Sequence, residues 1–243
     1  MIIEILKYAL LIIGGYLLGT VSGAKIISKI RKDDITKHGS GNPGSMNMLR
    51  TFGFKWGILT LCFDAIKGAI PSLVGFYVFG GDFSAQSYVG LYVGGLSAVV
   101  GHCFPVFSKF KGGKGVACML GMFAVAEPYW ALVVFAVCFV YLLIFDYGAM
   151  ASFLFITALT VIEGYKFKGN LPIAILLFIA YFLVWFMHRQ NIFRLLIGKE
   201  NKVNFISKLK KLGGKHKLPK DEKKQIKETK KEEKEQRKER EIG

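Results

Sequence analysis

The sequence predicts an all-α fold: a polytopic integral membrane protein with seven transmembrane helices and a charged terminal appendage. Composition is the first reason. Hydrophobic residues make up 52% of the 243-residue chain, yet the last 42 residues hold only eight apolar side chains. Residues 1–201 are therefore about 59% apolar, above the roughly 45–50% of a soluble domain, and a single soluble globule is excluded. The second reason is length: apolar runs recur near the roughly 20 residues of helix that cross a hydrocarbon core about 30 Å thick. The third is charge, which gathers in alternate connections between those runs.

The spans can be taken in order. Residues 4–27 form the first. Ser22, Gly23 and Ala24 resemble a signal-peptide cleavage site, but no basic cluster precedes the run and its apolar stretch is long. Gly15, Gly19 and Gly23 recur every four residues, a spacing that lets membrane helices pack closely, so this is read as a retained helix. Residues 54–79 and 86–103 are the second and third. The stretch 115–145 is long enough for one tilted helix, but Glu127-Pro128 interrupts it, and proline disfavours helix in the residue before it. It is divided into 115–127 and 128–145. Residues 149–165 and 171–188 complete the seven.

With seven spans, one side collects Lys25, Lys29, Arg31, Lys32, Lys37, Arg50 and Lys55, then Lys109, Lys111 and Lys114, then Arg189, Arg194, Lys199 and the tail. The other side has Lys7, Lys166 and Lys168. The positive-inside rule then sets the amino terminus outside and the carboxyl terminus in the cytoplasm. Residues 1–201 form the membrane domain, and 202–243 a Lys/Glu-rich cytoplasmic tail, disordered or partly helical, held near anionic lipid.

The net charge of +16 admits nucleic acid or an anionic membrane surface as partner, and the apolar runs decide for membrane lipids. No nucleic-acid partner is expected. Cys62, Cys103, Cys118 and Cys138 sit within or beside apolar segments without a CxxC pair or clustered His and Asp, so they are read as core residues. No metal and no cofactor are expected.

Three polar motifs fall on the basic side. His38 to Arg50 reads H-G-S-G-N-P-G-S-M-N-M-L-R. Its G-x-G-x-x-G spacing lacks the strand and βαβ unit of a dinucleotide site. What remains is a glycine-rich turn able to present backbone N–H groups to an anion, with Ser40, Asn42 and Asn47 as neutral donors and Arg50 as a planar fork for phosphate. Gly101 to Ala117 reads G-H-C-F-P-V-F-S-K-F-K-G-G-K-G-V-A, which is not a Walker loop. Gly112, Gly113 and Gly115 nevertheless flank Lys114 where the next helix begins, and helix amino termini attract anions. His188 to Glu200 reads H-R-Q-N-I-F-R-L-L-I-G-K-E, with His188, Asn191 and Arg194 on one broad face of a continuing helix. Ser152 starts the sixth span from the same side. Asp64 and Lys67, spaced i, i+3 inside the second span, are read as a structural ion pair facing the bundle.

These motifs resemble the PlsY family of bacterial acyl-phosphate:glycerol-3-phosphate acyltransferases. The likeness rests on S-G-N-P-G at 40–44, H-C-F-P-V-F at 102–107, K-G-G-K-G-V at 111–116 and H-R-Q-N-I-F-R-L-L at 188–196. It implies seven membrane helices, an active site open to the cytoplasm and a place in the bacterial cell membrane. It also implies transfer of an acyl group from acyl phosphate to the 1-hydroxyl of glycerol 3-phosphate, giving lysophosphatidic acid and phosphate. Catalytic roles are implied for Ser40, Arg50, Lys114, Ser152, His188 and Asn191. Substrate-binding roles are assigned to Gly41, Asn42, Asn47, His102, Lys111, Gly112, Gly113, Gly115 and Arg194. The soluble enzyme that supplies acyl phosphate is a further partner. The chain departs from the family pattern at Ser45-Met46, Cys118, Ala149 and Met187, each of which removes or shifts a polar group.

The rival class is a transporter or channel for phosphorylated anions, which needs polar groups along a path through the midplane. An H-x-x-x-x-D match, His216 to Asp221, lies in the charged tail with Pro219 inside it and is read as coincidence.

Overall fold

A computed structural model of the protein describes residues 1–205. The charged tail beyond Phe205 and the His216 to Asp221 match lie outside the described residues. Among the described residues all regular structure is helical: α1 (Ile2–Thr20), α2 (Gly23–Ile30), α3 (Ser45–Phe52), α4 (Phe54–Val78), α5 (Ala85–Cys103), α6 (Val116–Ala126), α7 (Pro128–Phe145), α8 (Gly148–Lys166), α9 (Leu171–Met187) and α10 (Arg189–Leu196).

Five stretches are long and apolar enough to cross a membrane, or six if α9 and α10, bent by 56°, count as one. The helix predicted over 115–127 is present as α6, but its 11 residues rise only about 16 Å, well under a hydrocarbon thickness. The break at Glu127-Pro128 falls where expected, with Pro128 opening α7 and its missing N–H costing nothing at that position.

The first span is not one straight rod. α1 ends at Thr20 and Ser22 caps the start of α2, its hydroxyl accepting the Lys25 N–H at 3.3 Å. The break frees the carbonyl of Val21, and Lys67 from α4 donates to it at 2.8 Å. Lys67 also pairs with Asp64 at 2.8 Å, both side chains fully buried. The intramembrane ion pair therefore repairs a helix break, the kind of satisfaction every backbone polar group needs where no water reaches.

α5 is the central helix, buried along most of its length, with α1, α4, α6 and α9 packed around it. Lipid tails are as apolar as leucine, so close backbone approach and van der Waals contact drive the packing. Gly19 lies directly against the Ala98 backbone, with no space for a side chain. α1, α7 and α9 turn rows of Ile, Leu, Val and Phe outward, an arrangement suited to hydrocarbon.

The helices alternate in direction, so the α3–α4 junction, the end of α5, the starts of α6 and α8 and the end of α9 share one end of the bundle. At the other end two of the three lysines are neutralised locally: Lys7 pairs with Glu4 at 2.8 Å and Lys166 with Glu127.

Candidate active site

At the shared end the three motifs converge on one cavity of about 450 Å³. Ser40, Asn42, Asn47, Arg50, His102, Lys114, Ser152, His188 and Asn191 all contribute to its lining. Apart from Ser45 and Asp64, its remaining wall is largely apolar and runs deeper, through Ile58 and Leu61 of α4, Leu120 of α6 and Phe135, Cys138 and Phe139 of α7. At 1.5 Å per residue, Phe135 lies about 15 Å below the end of α7. One compartment thus joins a charged mouth to a hydrophobic interior.

Asn47 does not face the cavity freely. It is buried, its Oδ1 accepts the Ser40 N–H at 3.1 Å, and its Nδ2 donates to the carbonyls of Ile35 and His38 at 3.3 and 3.0 Å. The side chain ties the Ser40 turn to the chain before it. Three residues along α3, Arg50 is half-buried and its Nε finds no partner. A buried charged donor left unpaired is costly, and an arriving anion would satisfy it.

The glycines around Lys114 act on the loop's path. Gly112, Gly113 and Gly115 lie outside the cavity lining, as do Gly41, Lys111 and Arg194, and Lys111 is exposed. A methyl group on Gly113 would land on the His102 imidazole, and the Gly113 N–H donates to the His102 carbonyl at 3.0 Å. Gly115 takes φ +86°, a left-handed turn that starts α6. Between them Lys114 is directed inward, and its ammonium donates to Asn191 Oδ1.

The α9–α10 corner supplies the rest. His188 sits at the bend, buried, with its ring edge-on to Phe153 at 5.2 Å. Its Nδ1 lies 2.8 Å from the Val184 carbonyl; a carbonyl only accepts, so Nδ1 carries the proton and Nε2 keeps its lone pair. Ser152 donates to the Gly148 carbonyl at 2.9 Å, leaving its oxygen free to accept.

Glu200 is the residue that sequence reasoning did not single out. Its side chain is buried, Oε1 accepts from Asn191 at 2.7 Å and Oε2 from Arg194 at 2.9 Å. Gly198, at φ +67°, reverses the chain after α10 and brings it there. The signal lay in that glycine, two residues before the acid.

Arg50, Lys114 and Arg194 therefore share a single carboxylate. Burial lowers the Arg50 pKa, with Glu200 partly restoring it and Arg194 depressing it further. Burial and then the Arg194 charge bring the Lys114 ammonium down to about 8, against Glu200. These three cations outnumber the one carboxylate among them, an arrangement suited to an anion.

The model of a protein family described as glycerol-3-phosphate acyltransferase matches residues 9–198. The chain belongs to this family. Among its curated members, the glycerol-3-phosphate acyltransferase of Aquifex aeolicus is 38% identical over 199 residues, covering 81% of this chain and all of that one. The Geotalea daltonii member is 40% identical over 192 residues, covering 79% and 95%. Crystal structures of PlsY (YgiH), an integral membrane glycerol 3-phosphate acyltransferase, are similar in its glycerol 3-phosphate form (TM-score 0.73) and its lysophosphatidic acid form (0.71). Both are 34% identical, covering 80% of this chain and 94% of theirs. As a glycerol-3-phosphate acyltransferase family member the chain is an integral membrane protein; the first two motifs lie within the matched residues, and the third does as far as Gly198, with Lys199 and Glu200 just beyond.

Proposed function

We propose that this protein transfers a fatty acyl group from acyl phosphate to the 1-hydroxyl of glycerol 3-phosphate, giving lysophosphatidic acid and phosphate. The observation that carries the reading is the single cavity in which Arg50 and Lys114, short of counter-charge, open onto an apolar interior. That pairing suits one soluble anionic substrate and one that brings a lipid chain.

Acyl phosphate is already activated, so the protein has to orient two phosphate-bearing substrates and stabilise charge growing on the carbonyl and the leaving phosphate. Arg50 and Lys114 clamp phosphate, while Ser40 and Asn191 help position it. Ser152, its proton committed to Gly148, offers its oxygen as an acceptor. The hydroxyl oxygen attacks the acyl carbonyl, the C–O bond to phosphate breaks, and the hydroxyl proton ends on a phosphate oxygen. His188 orients the hydroxyl through its Nε2 lone pair. The proton goes to phosphate, whose second pKa is about 6, while His188 keeps its own proton on Nδ1 against the Val184 carbonyl.

We further propose seven membrane crossings, counting α6 as a short one, with the amino terminus outside and the site facing the cytoplasm of a bacterial cell. The charge at the site end and its local neutralisation at the other end support that orientation. The soluble enzyme that supplies acyl phosphate would deliver it to this face. A transporter for phosphorylated anions would carry its polar groups through the midplane, whereas here they gather at one end. The test follows phosphate release from acyl phosphate by purified protein with glycerol 3-phosphate. Release that depends on both substrates and collapses in Arg50→Ala and Lys114→Ala is expected; release indifferent to these changes would overturn the reading.

A further inference from the structure

We infer that Phe205 is a specificity-determining residue for the acyl chain, closing the seam between α4 and α7 so that the chain is confined within the cavity. The inference rests on the proposed acyl transfer, since it assigns the apolar compartment to the acyl group.

Four observations combine. α4 and α7 both line the cavity, yet they pack little against each other. The Phe205 ring touches both, edge-on to Phe54, the first residue of α4, at 5.6 Å, and to Phe139 of α7 at 5.3 Å. Both separations lie within the range favoured by aromatic pairs. Phe205 itself is only 4% exposed and belongs to the cavity lining.

The segment holding Phe205 is also anchored. Asp146 ends α7 in a left-handed turn, φ +62°, and its two kinds of oxygen both serve this segment. The carbonyl accepts the Val203 N–H at 2.9 Å, and the carboxylate accepts the Phe205 N–H at 3.0 Å. Val203 is fully buried, in one cluster with Leu49 and Leu142. The proposed chemistry uses neither Asp146 nor Phe205. Their placement has a steric consequence instead: an acyl chain whose carbonyl lies among Arg50, Lys114 and Asn191 runs past the ring into the apolar interior, and its length is limited by that space. Without the ring, the far end of a long chain gains an exit between α4 and α7 into surrounding hydrocarbon.

The experiment measures kcat/KM of the full-length protein for acyl phosphates from lauroyl to stearoyl, with the KM for glycerol 3-phosphate as a control. Phe205→Ala is expected to raise the stearoyl-to-lauroyl ratio about ten-fold, the discrimination that a few methylene groups give in an apolar pocket, with the control unchanged. Asp146→Gly keeps the left-handed turn but removes the carboxylate anchor, and is expected to move the ratio the same way. Phe205→Val removes the ring while keeping a smaller apolar side chain, and serves if Phe205→Ala does not fold. An unaltered protein active with these donors, together with ratios that stay within about two-fold in the variants, would overturn the inference alone. An unaltered protein inactive with every chain would overturn the acyl-transfer reading and this inference with it.

Discussion

Asn191 stands between Lys114 and Glu200: its amide oxygen receives the lysine, and its amide nitrogen donates to the glutamate at 2.7 Å. The amide cannot rotate without losing both partners, so Glu200 fixes which face of Asn191 meets Lys114. Glu200→Ala leaves Asn191 and Arg194 without their acceptor and should cost about 1–3 kcal/mol of stability. It should also lower kcat/KM at least ten-fold, about 1.4 kcal/mol in transition-state terms. Glu200→Gln removes the charge and keeps one of the two acceptor oxygens, its amide nitrogen facing the other donor. Folding should survive, and the loss should be smaller in kinetic assays.

On its proposed role as a phosphate clamp, the charge on Lys114 sets the pH range in which the free protein can take a phosphate. Its ammonium has a pKa of about 8, so it is charged below that pH and neutral above. Glycerol 3-phosphate is fully dianionic there, its second pKa being about 6, so the substrate does not titrate over the same interval. kcat/KM should fall as pH rises through about 8. Lys114→Arg, whose charge persists to far higher pH, should remove that fall whatever its absolute rate. Glu200→Gln should move the fall to lower pH, because the glutamate charge holds the Lys114 pKa up.

Apolar length marked the helices, and the break at Glu127-Pro128 was legible because proline acts locally. The convergence of Ser40, Arg50, Lys114, His188 and Asn191 was legible because alternating helices put those segments at one end. Three features were not. The break at Val21 has no Pro before it, and its carbonyl is satisfied by Lys67 from another helix. Asn47 reads as a donor for phosphate in a glycine-rich turn, but its hydrogen bonds go to its own loop, which composition does not reveal. Glu200 gains its role from the reversal at Gly198, a matter of backbone sign rather than hydropathy.

Lys67 offers a test of how the membrane domain is held. Removing one partner of a buried ion pair leaves an uncompensated charge and costs about 3–5 kcal/mol. Lys67→Met does this to Asp64 and also strands the Val21 carbonyl at the α1–α2 break. The melting temperature in detergent should drop sharply. Adding Asp64→Asn removes the stranded charge, so the double variant should melt above Lys67→Met alone. A double variant that melts no higher would mean that losing Lys67 does not leave Asp64 as an uncompensated buried charge.

Asn47 separates two uses of an asparagine. As a phosphate ligand, its loss would reduce kcat/KM and leave stability untouched. As the tie of the Ser40 turn, its replacement by alanine leaves the Ile35 and His38 carbonyls and the Ser40 N–H without their partner. Because Asn47 is buried, these groups cannot all be repaired by water, and about 1–3 kcal/mol of stability should be lost. Activity should fall as well, through displacement of Ser40 and Arg50. Asn47→Asp discriminates further, since a carboxylate can still accept the Ser40 N–H but repels the two carbonyls that the amide nitrogen served. Thermal unfolding beside kinetics decides: a fall in kcat/KM at unchanged melting temperature in both variants would return Asn47 to the phosphate, and a fall in both quantities assigns it to the loop.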